Sequence, residues 1–166
     1  MIMGLSLSAF TTLHVVISLI GIVSGVAVVF GMLTSRRLEA LTALFLATTV
    51  LTSVTGFLFP FDRLTPAHIV GVLSLAVLAA ALFALYARRL AGPWRWIYVV
   101  GGLAALYLNA FVGVVQAFQK LAFLQPLAPT QSEAPFLVAQ IAVLAAFLAL
   151  GFVAVTRFRP DGVAQA

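Results

Sequence analysis

Charged residues divide this chain into long uncharged stretches, and that feature most limits what it can fold into. The stretches are residues 1–35, 40–61, 64–87, 96–119 and 134–156. An α-helix rises about 1.5 Å per residue, so about 20 apolar residues cross a bilayer core about 30 Å thick. Each stretch is long enough to do so. We therefore predict an all-α, polytopic integral membrane bundle of five transmembrane helices.

The composition excludes the soluble and disordered classes of protein. Hydrophobic residues make up 64% of the 166 residues and charged residues 8%, whereas an average soluble domain is about 25% charged. A mean hydropathy of +1.21 is incompatible with a water-soluble surface or with disorder. The chain has no cysteine, which excludes disulfides and Cys-ligated zinc or iron–sulfur sites.

Proline and glycine mark the connections between the spans. Pro60 and Pro66 bracket the second, Gly92-Pro93 lies in the third, and the fourth holds further prolines. Within one domain, 1–166, the predicted spans are about 11–33, 39–59, 66–88, 95–119 and 135–156. We expect an external loop at 120–134 and a frayed tail at 160–166. No basic region precedes the first apolar stretch, so we expect it to be a span and not a cleaved signal peptide.

The cations predict the orientation. At one end of the spans lie seven, namely Arg36, Arg37, Arg88, Arg89, Arg95, Arg157 and Arg159, and at the other end lie Arg63 and Lys120. The positive-inside rule then places the N-terminus outside and the C-terminus inside. A pI of about 10.8 would suggest nucleic acid as the partner of a soluble protein, but cations clustered between apolar stretches predict a lipid bilayer as partner and no nucleic acid.

Polar residues within the spans concentrate in the outer half. His14, His68 and Gln116 each lie about eight residues, or about 12 Å, from the middle of their span. Gln140 and Thr55 lie at shallower offsets on the same side, and Asn109 lies near the centre. Because polar residues in lipid-solvated helices turn inward, we predict a pocket that opens outward and is formed by these residues.

Helical phase supports an inward-facing stripe. Asn109, Gly113, Gln116 and Lys120 follow the spacing i, i+4, i+7 and i+11. We therefore expect Gln116 to face the bundle and Val114 or Val115 to lie nearer to lipid. On span one, Gly21 and Gly25 form a GxxxG that permits a close helix crossing. We expect Phe57, Phe59 and Phe61 to belong to an outer aromatic girdle.

These residues are compatible with several kinds of site. His14 and His68 could ligate a haem b, with Arg63 and Lys120 pairing with its propionates. The same histidines, with Asp62 or Glu133, could bind copper or zinc. A quinone or another amphipathic small molecule could use the amides and histidines as hydrogen-bond partners. Alternatively, the polar layer only holds the helices together, in a non-enzymatic subunit, a channel-like or transporter-like homo-oligomer, or a larger membrane complex.

Three strings of the sequence carry a resemblance. These are Thr55-Gly56-Phe57, Pro66-Ala67-His68 and the loop segment from Leu127 to Glu133. In these strings the chain resembles a group of bacterial inner-membrane proteins with no known activity. The resemblance implies a multi-pass protein of the bacterial plasma membrane and no catalytic residue.

Overall fold

The computed structural model describes residues 2, 4–60 and 66–160. Its long helices are α1 (Leu7–Leu33), α2 (Glu39–Gly56), α3 (Pro66–Leu82), α4 (Trp94–Lys120) and α5 (Ala134–Arg157). A π-helical turn, Phe83–Ala87, extends α3, and a short 3-10 turn, Gln125–Leu127, lies between α4 and α5. Within the described residues, five helices are long and apolar enough to cross a membrane. The predicted all-helical bundle of five spans is therefore confirmed.

A capping serine and three prolines mark the starts of four of the long helices. Ser6 caps α1, and its hydroxyl accepts a hydrogen bond from the Ala9 N–H at 3.2 Å. Pro66 opens α3, Pro93 precedes α4, and Pro135 lies in the first turn of α5. A proline costs little at these positions because its missing N–H would have no partner inside the helix.

Helices that follow each other in the chain pack side by side. The bundle is further closed by contacts of α1 with α4 and of α1 with α5. Both α1 and α3 pack against α2 and α4. Accordingly, α1 and α3 lie on opposite sides of the bundle, with α2 and α4 between them.

The two ends of the bundle differ. We call the end that carries Arg36, Arg88, Arg95 and Arg157 the arginine end, and the end that carries Ser6, Phe57, Pro66 and Lys120 the cavity end. The main apolar core lies toward the arginine end, where Phe45, Met32 and Leu106 are each 2% exposed. There Phe158 packs on Tyr98 with 5.9 Å between ring centroids. The Arg95 guanidinium donates to the backbone carbonyls of Val155, at 3.1 Å, and Phe158, so it closes the end of α5.

The glycine pair of α1 lies at a close crossing of three helices. A Cβ added at Gly25 would lie 2.6 Å from Leu106 Cδ1 and 2.8 Å from Phe45 Cδ2. Only glycine lets α1 approach α2 and α4 so closely here. One turn toward the cavity end, Gly21 faces the hydroxyls of Thr48 and Thr49 in the same way.

The connection between α4 and α5 is folded against the bundle. Ala128 is 1% exposed, and the rings of Phe118 and Phe136 beside it meet edge to face at 5.5 Å. Val114 and Val115 pack against this cluster, so the expectation that they lie nearer to lipid is wrong. The expectation was based on the helical phase of α4 alone. In the structure the connection between α4 and α5 covers the face of α4 that carries these two valines.

Glu133 organises the turn before α5. Its carboxylate accepts hydrogen bonds from the Thr130 hydroxyl at 2.8 Å, the Thr130 N–H at 3.1 Å and the Ser132 N–H at 3.1 Å. Desolvation would raise the pKa of the Glu133 carboxyl, but these hydrogen bonds outweigh it and hold the pKa below its ordinary value. The turn is therefore built around an ionised carboxylate.

Candidate functional site

The cavity end of the bundle contains a cavity of about 660 Å³. Helices α1 to α4 and the residues just after α2 line it, whereas no described lining residue comes from α5. Its hydroxyl-bearing lining residues are Thr11, Ser18, Thr49, Thr52, Ser53 and Ser74. Its nitrogen-bearing polar lining residues are His14, His68, Asn109, Gln116, Gln119 and Lys120.

The cavity is long, and its walls are largely apolar. Along α4 its lining runs from Leu108 to Lys120, which corresponds to about 18 Å at a rise of about 1.5 Å per residue. Aliphatic side chains such as Ile22 and Val112 lie between the polar ones. Such a mixture suits an amphipathic molecule better than a hydrated ion.

His14 is held by a hydroxyl of the neighbouring helix. Its Nδ1 lies 2.8 Å from Thr55 Oγ1. That hydroxyl has one proton, and its oxygen lies 2.7 Å from the Leu51 carbonyl oxygen, to which the proton is donated. We therefore assign the proton of the imidazole to Nδ1, which donates to Thr55 and leaves the lone pair on Nε2. In this tautomer Nε2 can accept a hydrogen bond or bind a metal ion.

His68 lies in the first turn of α3 and is 9% exposed. The ring of Phe57 packs on its imidazole, with centroids 5.7 Å apart. The ring of Phe57 also leaves no room for a side chain at position 71, because a Cβ at Gly71 would lie 2.9 Å from Phe57 Cζ. The two histidines thus come from helices on opposite sides of the bundle and line one cavity.

Asn109 lies at the deep end of the cavity. Its amide Nδ2 lies 3.3 Å from the position that a Cβ of Gly21 would occupy, at the close crossing of α1. The Nδ2 atom is buried and has no hydrogen-bond partner among the described residues. A buried amide donor without an acceptor costs about 1–3 kcal/mol. A ligand that presents an acceptor here would remove that cost.

Hydroxyl pairs join the helices around the cavity. Ser53 Oγ lies within hydrogen-bond distance of Ser74 Oγ, at 3.0 Å, and this contact links α2 to α3. Ser18 Oγ lies 3.4 Å from Thr52 Oγ1 and ties α1 to α2. Neither Ser53 nor Ser74 was among the predicted site residues. Ser53 lies one turn after Thr49 on α2, whereas Ser74 is the only hydroxyl-bearing residue of α3.

Two amides and a cation of α4 line the mouth of the cavity. Gln116, Gln119 and Lys120 follow one another along α4 and line it. Gln119 Nε2 also lies 3.3 Å from Gln131 Oε1, so the folded loop joins the wall of the cavity.

The structure thus brings most of the predicted site residues together. His14, His68, Asn109, Gln116 and Lys120 line the cavity. Thr55 supports the ring of His14, as described above. Gln140 instead faces the neighbouring helix, where its Nε2 donates to the Phe111 carbonyl at 3.2 Å. Arg63 and Asp62 lie outside the described residues.

The phenylalanines after α2 have a different role from the one expected. Phe57 packs on His68, and Phe59 meets the ring of His14 edge to face at 5.2 Å. Both line the cavity, so the prediction of an outer girdle is wrong for these two, and Phe61 lies outside the described residues. They turn inward because α2 ends at Gly56, before the predicted end at residue 59.

No cluster of three or more His, Cys, Asp or Glu in the described part of the chain could hold a metal ion. Glu133, one of the additional ligands considered for copper or zinc, is engaged by Thr130 and Ser132 in the loop. Comparison of the chain with protein-family models, with curated proteins and with solved structures finds no match in any of the three.

Proposed function

We propose that this multi-pass membrane protein binds an amphipathic small molecule in the cavity between α1 and α4. The observation that carries the proposal is a single cavity of about 660 Å³ that gathers polar side chains from four helices. Apolar walls with a few convergent polar groups are typical of small-molecule sites. The bilayer itself would deliver such a ligand.

The hydrogen-bonding groups favour a ligand rich in acceptors. The Asn109 Nδ2 donor requires an acceptor at the deep end, and Gln116 offers an amide nearer the mouth. A quinone headgroup carries carbonyl acceptors on an apolar ring, and the phenylalanines that line the cavity suit its faces. Quinone binding, and the electron transfer linked to it, is therefore the first candidate within the proposal.

A b-type haem is the second candidate, favoured by the fixed tautomer of His14. An imidazole whose Nδ1 donates to Thr55 and whose Nε2 keeps its lone pair has the form that ligates iron. His68, which lines the same cavity, would be the second histidine to hold the iron, and Lys120 would pair with a propionate. The iron would supply one-electron chemistry when bound.

The alternative function is that of a structural subunit or homo-oligomer. It predicts that the polar side chains of the bundle hydrogen-bond to one another and not to a ligand. Side chains that only join helices pair across the interface, as Ser53 and Ser74 do at 3.0 Å. Asn109 does not have such a partner among the described residues. That difference supports a ligand in preference to assembly alone.

We further propose that the protein resides in a bacterial plasma membrane with the cavity end facing outward. The excess of arginines at the opposite end supports this orientation through the positive-inside rule. The ligand would then enter from the outer leaflet or from the outer aqueous phase.

The test uses two glycine variants of the purified protein. A Cβ at Gly113, which lines the cavity, meets Ile22 Cδ1 at 3.8 Å, and one at Gly151, outside the cavity, meets Leu103 Cδ2 at 3.7 Å. Gly113→Leu should fill the cavity, and Gly151→Leu is the matched control.

We expect mass spectrometry of the detergent-purified wild type and of Gly151→Leu to reveal a bound small molecule that Gly113→Leu has lost. Equal ligand content in the three proteins, or none in any of them after addition of ubiquinone, haem and palmitate, would refute the proposal. An absorption spectrum separates the two candidates, because only haem gives a Soret band.

A further inference from the structure

We infer that the ligand of this cavity is an anionic amphiphile whose acid group binds Lys120 at the mouth and whose second hydrogen-bond acceptor reaches Asn109. The inference rests on the proposed function and specifies its ligand. A long-chain carboxylic acid that carries a hydroxyl or carbonyl group far from its carboxylate has this chemistry.

The charge of the cavity lining favours an anion. The described residues that line it include Lys120 and no Asp or Glu. Both imidazoles, His14 and His68, belong to the same lining. A carboxylate at the mouth of the cavity would be attracted by the positive charge of Lys120.

Lys120 is available to an external anion. Within the described part of the chain the one ion pair joins Arg37 and Glu39, at the arginine end, with 3.7 Å between its charged atoms. Lys120 is exposed in the last turn of α4. A lysine there also stabilises the helix C-terminus, and the experiment below separates that role from ligand binding.

The spacing along α4 sets the length of the ligand. Asn109 and Lys120 are eleven residues apart on one face, with Gly113 and Gln116 between them, so their Cα atoms are separated by about 16 Å. Val112 and Ile22 line the cavity between its deep end and its mouth. An extended alkyl chain with a polar group near each end matches this order of polar, apolar and polar surfaces.

The experiment measures the affinity of the delipidated full chain for three probes. They are ω-hydroxypalmitate, which has both polar groups, palmitate, which lacks the distal hydroxyl, and methyl palmitate, which lacks the charge. We expect ω-hydroxypalmitate to bind most tightly and methyl palmitate to bind about tenfold more weakly than palmitate, the change expected for loss of a hydrogen bond to a charged group.

Two variants identify the residues that recognise the ligand. Lys120→Gln should weaken binding of palmitate about tenfold and leave that of methyl palmitate unchanged, and Lys120→Arg should restore the preference for the acid. Asn109→Leu should remove the advantage of ω-hydroxypalmitate over palmitate. Each loss is specific to one probe, which a general loss of folding would not produce.

Equal affinity for palmitate and its methyl ester, or a Lys120→Gln variant that loses thermal stability but no affinity, would overturn the inference. If neutral ubiquinone binds the wild type but not Gly113→Leu while palmitate binds neither, the anionic ligand is refuted and the proposed function stands. If none of the probes, ubiquinone or haem binds the wild type, both are refuted.

Discussion

Replacing Asn109 with leucine should stabilise the ligand-free protein while impairing its function. Leucine has nearly the branched shape of asparagine, so the change removes the buried Nδ2 donor, which has no partner among the described residues, without opening a void. An unsatisfied buried donor costs about 1–3 kcal/mol. We therefore expect the free energy of unfolding of the empty protein to rise by about 1–3 kcal/mol.

The measurement is reversible unfolding of delipidated protein in mixed micelles of a mild detergent and dodecyl sulfate, followed by circular dichroism. The same variant should bind acceptor-bearing ligands more weakly. If Asn109 instead served helix assembly, its loss would destabilise the protein by about 0.6–2 kcal/mol. Lower stability of Asn109→Leu with unchanged ligand binding would therefore refute our explanation of the cavity.

Three further outcomes are expected. Gly25→Ala should be less stable than Gly102→Ala by about 1–3 kcal/mol in the same unfolding assay. The reason is that a Cβ at Gly25 overlaps two buried side chains, whereas one at Gly102 meets Met32 Cε at 3.6 Å. Equal stability of the two variants would contradict this. Because the pKa of Glu133 is depressed, its contribution to the turn is complete above its ordinary value of 4.5 and is lost as the pH falls through the folded pKa. The amide NMR shift of Ser132 should titrate with a midpoint below 4.5, and Glu133→Gln should abolish that titration. A periplasm-active reporter fused after Arg159 should be inactive, and activity there would reverse the proposed orientation.

Sequence patterns identified the helices because the membrane imposes a strong constraint on them. A lipid-exposed segment must satisfy its own backbone, so length and hydropathy suffice to locate a span. Their ends were harder to predict. The α2 helix ends at Gly56, three residues before the predicted end, and Phe57 and Phe59 beyond it pack on the two histidines. The π-helical turn that follows α3, in which the Arg88 N–H donates to the Phe83 carbonyl at 3.0 Å, leaves no mark in hydropathy.

Helical phase located part of the site for a similar reason. It assigns residues of one helix to one face, and Asn109, Gln116 and Lys120 indeed share a cavity-lining face. Phase does not reveal which helix that face meets. Gln140 therefore had the right polarity and depth but hydrogen-bonds to the backbone of α4. The cover that the folded loop gives to Val115 depends on tertiary contacts as well.

The difference between the two ends of the bundle limits how a small molecule could move through one chain. Near the arginine end, Phe158, Tyr98 and Val99 are each at most 2% exposed, and the core they belong to lies on the path from the cavity toward that end. A molecule in the cavity therefore has no open path through this core to the arginine end. Under the proposed function, a single copy would hold its ligand at the cavity end, and passage of that ligand to the arginine end would require this core to open.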